Sequence, residues 1–192
     1  MKKPSERGIS RARNENSERV VRRRHAFGFV LRRHRPSDMG YIVHRHGILY
    51  SREYGWDCRF EANVAGIVSE FIHRYDPRRD RCWIAERGPK FAGCVFLMKE
   101  SNETTRLRML LVEPRFRRRG LGTQLVRRCI GFAKKAGFRR ISLWTNDVLL
   151  PARRIYERAG FRMVRSAPHH EFGSGLRGET WVLDLWPRRE KV

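Results

Sequence analysis

A basic hexapeptide with two close glycines, Arg117-Arg118-Arg119-Gly120-Leu121-Gly122, joins an apolar strand-like run, Leu107 to Val112, to an amphipathic helix-like run that begins at Leu121. A strand that turns through glycines into a helix leaves several backbone N–H groups unpaired around one point, with the positive end of the helix dipole behind them. Such a point attracts phosphate. Three arginines add long-range attraction and bidentate contacts to phosphate oxygens, so the expected ligand is a pyrophosphate-bearing molecule rather than a lone small anion. By itself the hexapeptide reads equally well as a glycine-capped basic turn, and its neighbours along the chain must decide.

Those neighbours alternate between two periodicities. Phe27 to Arg33 has strand character, and Pro36-Ser37-Asp38 supplies a turn and cap for a helix carrying Met39, Ile42, Val43 and Leu49. A second helix places Phe60, Val64, Ile67, Val68, Phe71 and Ile72 on one face, and Pro77 ends the region. Strands over Arg81–Glu86 and Phe91–Met98 flank hairpin chemistry at Arg87-Gly88-Pro89-Lys90. The run Thr105–Val112 alternates apolar residues with Arg106 and Arg108 and then becomes wholly apolar, as expected of a strand half buried at first and buried on both faces later. Leu121, Leu125, Cys129 and Phe132 share a helix face closed by Gly137. Ile141–Thr145 then reads as a strand, Pro151–Ala159 as a short helix, Phe161–Arg165 as a strand, His169–Gly178 as a Gly-rich loop and Thr180–Trp186 as a last strand. The order is strand, two helices, three strands, helix, strand, helix, two strands: a mixed α/β layout with a largely antiparallel front half.

At 192 residues the chain suits one domain with a substantial core. Residues 1–26 are polar and basic and are expected to form a disordered arm, leaving 27–192 as the folded domain. No run approaches the ~20 apolar residues of a membrane helix. Cys58, Cys82, Cys94 and Cys129 are scattered without a Cys-x-x-Cys pair, which points to buried core thiols, no metal and a reducing cytoplasm. The net charge of +23 is only partly in the arm: residues 1–24 contribute +6 and the rest +17. Without stacking aromatics, finger spacing or a helix-turn-helix, that excess reads as a solvated surface that binds nucleic acid only weakly.

Two segments in order carry a family resemblance. Arg117–Gly122 after Val112-Glu113-Pro114 resembles the acetyl-CoA-binding motif of the Gcn5-related N-acetyltransferases (GNAT), and Ile155-Tyr156-Glu157-Arg158-Ala159-Gly160-Phe161 resembles that family's second signature. The resemblance covers about residues 27 to 186. Leu143-Trp144-Thr145-Asn146-Asp147 and the His169-His170-Glu171-Phe172-Gly173 loop look, more narrowly, like the acetyltransferase halves of bacterial MarR-type winged-helix fusions, of which this chain is expected to hold the enzyme half alone. The resemblance implies the GNAT acyl-CoA N-acyltransferase fold, a mixed central sheet flanked by helices, with acetyl-CoA as co-substrate and a small-molecule, amino-acid or peptide amine as acceptor. Membrane partners are not expected, and a homodimer stays open.

Acetyl transfer from a thioester to an amine requires a neutral amine, a polarised carbonyl and a proton for the departing thiolate. By resemblance Tyr156 is the acid, since a phenol's ordinary pKa near 10 is close to that of an alkyl thiol; by periodicity alone it is a core tyrosine beside Ile155. Glu113 lies where it could accept the amine proton, or else pair with Arg115 or Arg117. His44, His46, His169 and His170 are further candidates. By resemblance the splayed strand receives the pantetheine arm at Leu110, Leu111 and Val112, while Arg117, Arg118, Arg119, Gly120, Leu121, Gly122 and Thr123 receive the pyrophosphate. Many members carry a cofactor-contacting asparagine seven residues before the motif tyrosine; here that position is Leu149, and Asn146 is the nearby substitute. A regulatory or nucleic-acid-associated protein using the acetyltransferase fold for ligand binding is the alternative.

Overall fold

The computed structural model describes residues 28–186, and the arm expected over 1–26 lies outside them. The described chain runs β1 (Val30–Arg33), α1 (Asp38–Tyr54), α2 (Cys58–His73), β2 (Arg81–Arg87), β3 (Lys90–Lys99), β4 (Thr104–Val112), α3 (Leu121–Lys135), β5 (Arg140–Asn146), α4 (Leu150–Arg158), β6 (Arg162–His169) and β7 (Leu176–Asp184). A 3₁₀ turn at Pro114–Phe116 follows β4. The seven strands form one sheet in the order β1-β2-β3-β4-β5-β7-β6. Every pairing is antiparallel except β4 with β5, which is parallel and needs α3 as its crossover.

Alternation along β2 and β3 explains why their sequences are almost continuously apolar. Cys82, Ile84, Cys94, Phe96 and Met98 pack with Ile42, Leu49, Val68 and Phe71 of α1 and α2, while Trp83, Val95 and Leu97 pack with Leu125, Val126 and Cys129 of α3 on the other face. Both faces of the sheet are therefore covered, and roughly 1.5–3 kcal/mol accompanies each large apolar side chain so buried.

Five local expectations change. Ser37 sits at φ 74° with no capping bond from its side chain; Asp38 instead accepts the Arg35 N–H and both ends of the Arg32 guanidinium. Ile72 is exposed because α2 turns that flank away from the sheet, and Cys58 is exposed at the start of α2, whereas Cys82, Cys94 and Cys129 are buried free thiols. The loop expected from His169 to Gly178 is largely strand, since β6 reaches His169 and β7 starts at Leu176. Pro168 is tolerated there because β6 is the sheet edge and pairs only with β7.

The fifth difference positions the site. β4 is not fully buried on both faces at its end: Leu110 and Val112 are only partly buried. Between the pairs Phe96–Arg108 and Cys94–Leu111, β4 carries one residue more than β3, and Met109 lies at φ 58°. This bulge reverses the facing of everything after it, so Leu107 and Leu111 enter opposite cores despite their even spacing. It also ends the contact with β5. The β4–β5 pairing covers only Thr104–Leu107 with Arg140–Leu143, and beyond it the two strands diverge. Among the described residues no helix is long and apolar enough to cross a membrane.

Candidate active site

The divergence of β4 from β5 opens a notch in the middle of a sheet, where backbone groups normally have partners. A cavity of about 310 Å³ occupies this region, lined by Met109 and Leu110 of β4, Trp144 to Asn146 of β5, Leu149 before α4, and Tyr156 within it. It continues under α1 and α2, where His46, Tyr50, Trp56 and Phe60 form its far wall. A non-glycine residue in left-handed geometry, as at Met109, stores about 1–3 kcal/mol of strain and is a common mark of ligand sites.

The basic loop lies past the outer end of β4. Arg118 at φ 59° and Gly120 at φ 73° curl the chain into α3, whose N-cap, Gly120, supplies no side-chain cap. The first N–H groups of α3, at Leu121, Gly122 and Thr123, have no carbonyl of their own helix to bond, whereas Gln124 N–H already reaches the Gly120 carbonyl. Arg118 and Arg119 are exposed. Arg117 is placed differently from the expected phosphate ligand: its guanidinium grips both oxygens of Glu53 at 2.8 and 2.9 Å and donates to the Val112 carbonyl at 3.1 Å. Gly122 faces inward, where a Cβ would sit 2.7 Å from Ile155 Cδ1, so its lack of a side chain lets α3 approach α4.

Glu113 also departs from its expected place. Its carboxylate accepts from Arg45 Nε at 2.6 Å and from a second guanidinium nitrogen at 2.8 Å, it is 5% exposed, and it is not among the residues lining the cavity. Neither Arg115 nor Arg117 is its partner; Arg45, 68 residues away in sequence, is. The carboxylate is held in a bidentate pair with Arg45 and does not face the cavity. Glu113→Ala should lower stability by about 3 kcal/mol, the low end for breaking a buried pair because Arg45 keeps some solvent contact. Urea unfolding checks this, and unchanged stability with lost turnover would return Glu113 to a catalytic role.

Tyr156 is 5% exposed and burial pushes its phenol well above the ordinary range, so the proton stays on at any physiological pH. Asn146, 1% exposed, closes the β5 side. The Oδ1 of Asn146 lies 2.6 Å from His169 Nε2, while Glu171 N–H meets His169 Nδ1 at 3.3 Å. This network assigns the His169 proton to Nε2 and ties the late loop to the end of β5.

Of the four candidate histidines, His46 of α1 lines the cavity. His46 is 2% exposed, its Nδ1 lies 2.9 Å from the Ile42 carbonyl, and its Nε2 has no partner. Nδ1 therefore carries the proton and Nε2 presents a lone pair. Desolvation pulls the ring's pKa down from 6.5 to about 4. Because the folded value is depressed, the associated stability is complete above pH 6.5 and is lost as pH falls towards 4, by at most about 3 kcal/mol. Urea unfolding at pH 7 and 4.5 should show His46→Gln losing less stability on acidification than the wild type; equal losses would contradict this. His44 is exposed on the opposite flank of α1.

Comparison with known proteins places this geometry. The acetyltransferase (GNAT) family pattern matches residues 49–161. An uncharacterized N-acetyltransferase of Schizosaccharomyces pombe is 31% identical over 124 residues, 63% of this chain and 75% of that protein. The N-acetylaspartate synthetase of Danio rerio is 30% identical over 109 residues, 56% of this chain, and the match spans only 38% of that longer protein. YvbK, an uncharacterized N-acetyltransferase of Bacillus subtilis, is 30% identical over 55% of this chain and 64% of its own length. Among solved structures, yncA of Salmonella typhimurium, determined with acetyl-CoA, superposes with a TM-score of 0.68 at 17% identity, covering 85% of this chain and 97% of its own. A GNAT-family structure from Desulfovibrio desulfuricans gives 0.65 at 21% identity, covering 82% and 99%. The family pattern covers more than half of the sequence, and the chain belongs to the acetyltransferase (GNAT) family.

Proposed function

We propose that the protein is an acetyl-CoA-dependent N-acetyltransferase acting on a primary amine of a small molecule, amino acid or peptide. The observation that carries the reading is the notch between β4 and β5, lined by Leu110 and Tyr156, with the free N–H groups of α3 following the end of the same strand β4. Acetyl-CoA supplies the thioester when bound. The N–H groups of Arg118 to Thr123 receive its pyrophosphate, with Arg118 and Arg119 as the flanking cations; Arg117 holds the loop through Glu53 instead. Backbone groups of Leu110, Leu111 and Val112, without β5 partners, pair with the extended arm as an added strand would. Tyr156 donates the proton that the departing thiolate takes up, and Asn146, held by His169, shapes the β5 side of the notch.

The acceptor enters from the side of α1 and α2, where the cavity continues. Presenting a lysine amine as the neutral base at pH 7 costs about 4.6 kcal/mol, against about 1 for an α-amine. With Glu113 engaged by Arg45 and His46 of low basicity, neither of these two residues serves as a strong base, which favours the α-amine. Amine-dependent release of coenzyme A, measured over a panel of matched α-amine and lysine-side-chain acceptors from pH 6.5 to 9, should show higher kcat/KM for α-amines. No release with any amine would defeat the reading; a preference for lysine side chains throughout would defeat its acceptor.

The narrower kinship with acetyltransferase halves of MarR-type fusions is supported by the way Trp144, Asn146, His169 and Phe172 meet in one cluster. The buried free thiols suit a reducing cytoplasm. Nucleic acid binding through the basic surface would be weak and lost with added salt.

A further inference from the structure

The sheet side of the cavity is cationic. Across the β3–β4 pairing Arg106 lies opposite Met98 and Arg108 opposite Phe96, and both of those apolar residues face α1 and α2. Residues directly opposite share a face. The two arginines therefore stand on the α2 side of the sheet, where Phe60, Asn63 and Ile67 line the same cavity. Among the described residues that line it, Glu171 is the one carboxylate.

The two guanidiniums differ in what they already hold. Arg106 pairs with Glu100 through Nη2, and its Nε lies 3.5 Å from Ser142 Oγ, which donates to the same carboxylate. Among the described residues Arg108 makes one hydrogen bond, from Nη1 to Glu70 at 3.4 Å, and Glu70 is nearer to Arg74, at 2.6 Å. Arg45 and Arg117, by contrast, each grip a carboxylate with two bonds of 2.6 to 2.9 Å. Burial, and then Arg106 alongside, push Arg108 below the ordinary guanidinium range despite Glu70, and the group stays protonated all the same. Its side chain keeps 27% of its surface open. A partly desolvated cation with an unfilled fork of N–H donors in a cavity wall is matched best by a carboxylate, which takes two parallel bonds.

We propose that Arg108 selects an acceptor amine that also carries a carboxylate, held by the guanidinium in place of its long contact to Glu70. The proposal rests on the acetyltransferase reading for the fate of the amine but concerns only what the cavity recognises. Arg108 stands just before the bulge, and strand spacing puts it at most roughly 7 Å from Leu110, so carboxylate and amine fit within one small molecule. An acceptor without the anion leaves the guanidinium unpaired, and a polyamine meets its repulsion.

Acetylated products carry no titratable amine, so they isolate the carboxylate. N-acetyl-L-leucine is compared with N-acetyl-L-leucinamide, and N-acetyl-L-glutamate with N-acetyl-L-glutamine, by calorimetry on the protein saturated with coenzyme A; the parent amines are assayed for acetyl transfer. The first pair reads an α-carboxylate and the second a side-chain carboxylate. At least a roughly tenfold preference for the acid is expected in one pair. It should fall to within about twofold in Arg108→Met and be intermediate in Arg108→Lys, which keeps the charge and loses the fork. In Glu70→Gln, at a partly exposed position, the preference should be kept or enlarged, because a competing carboxylate is gone. Equal binding of acid and amide in both pairs would overturn the proposal and leave Arg108 to its ion pair with α2, as would a preference that persists in Arg108→Met. Failure of all four to bind, while amines without a carboxylate are acetylated, would overturn it and leave the acetyltransferase reading intact. Selective binding of an acid with no acetyl transfer to any amine would support the Arg108 site and overturn the enzymatic reading instead.

Discussion

Replacing Tyr156 with phenylalanine is expected to lower kcat by ~10²- to 10⁴-fold, the usual cost of removing a general acid, with little change in coenzyme A affinity. The phenol is buried at the inner end of the notch, and the phenyl ring of the variant preserves its packing against Phe161. Only the proton donor is lost. The sequence suggested a phenol titrating near an alkyl thiol, but burial raises it well beyond that. The correction has a consequence for the pH profile: a raised pKa keeps the acid form present to higher pH, so loss of the Tyr156 proton cannot produce a basic limb in kcat below about pH 10. In the same dry surroundings a developing thiolate also gains proton affinity, which keeps donation feasible. Wild-type kcat in Tyr156→Phe would assign the residue to the core, and a basic limb near pH 8 that vanished in the variant would show that burial does not govern its titration.

The order of elements was legible because each segment's periodicity agrees with the layer that covers it. In α2, Val64, Val68 and Phe71 recur on one face because the sheet lies on one side only; β3 is apolar throughout because helices cover both sides. What escaped notice has non-local causes. Nothing at Met109 marks a left-handed residue, since the bulge arises from the pairing of β3 with β4 and from the absence of a side chain at Gly93, where a Cβ would run into the Leu111 carbonyl. Arg45 and Glu53, one helix away in space but 68 and 64 residues from their partners, capture two residues that local reading assigned to catalysis and phosphate. The imidazole of His46 was one of four plausible histidines until its tautomer and burial were known. Tyr156 and the glycine loop were visible earlier because their spacing is local.

The glycine loop offers the most direct test of the whole account. Gly120 lies at φ 73°, a conformation a β-branched residue adopts only at a cost of about 1–3 kcal/mol, and it is the last residue before the free N–H groups of α3. Valine there should both reshape the turn and place methyl groups where a pyrophosphate must approach the backbone. Gly122 is the less informative choice, since a side chain would collide with Ile155 and disturb the packing of α3 on α4. Because Gly120 is exposed, the variant should still fold with a modestly lower melting temperature. The deciding measurement is therefore a calorimetric titration of coenzyme A into the wild type and Gly120→Val. Binding by the wild type that is weakened about 100-fold or more in the folded variant is the expected result; equal affinity, or no binding by the wild type, would contradict the placement of acetyl-CoA at the β4–α3 loop.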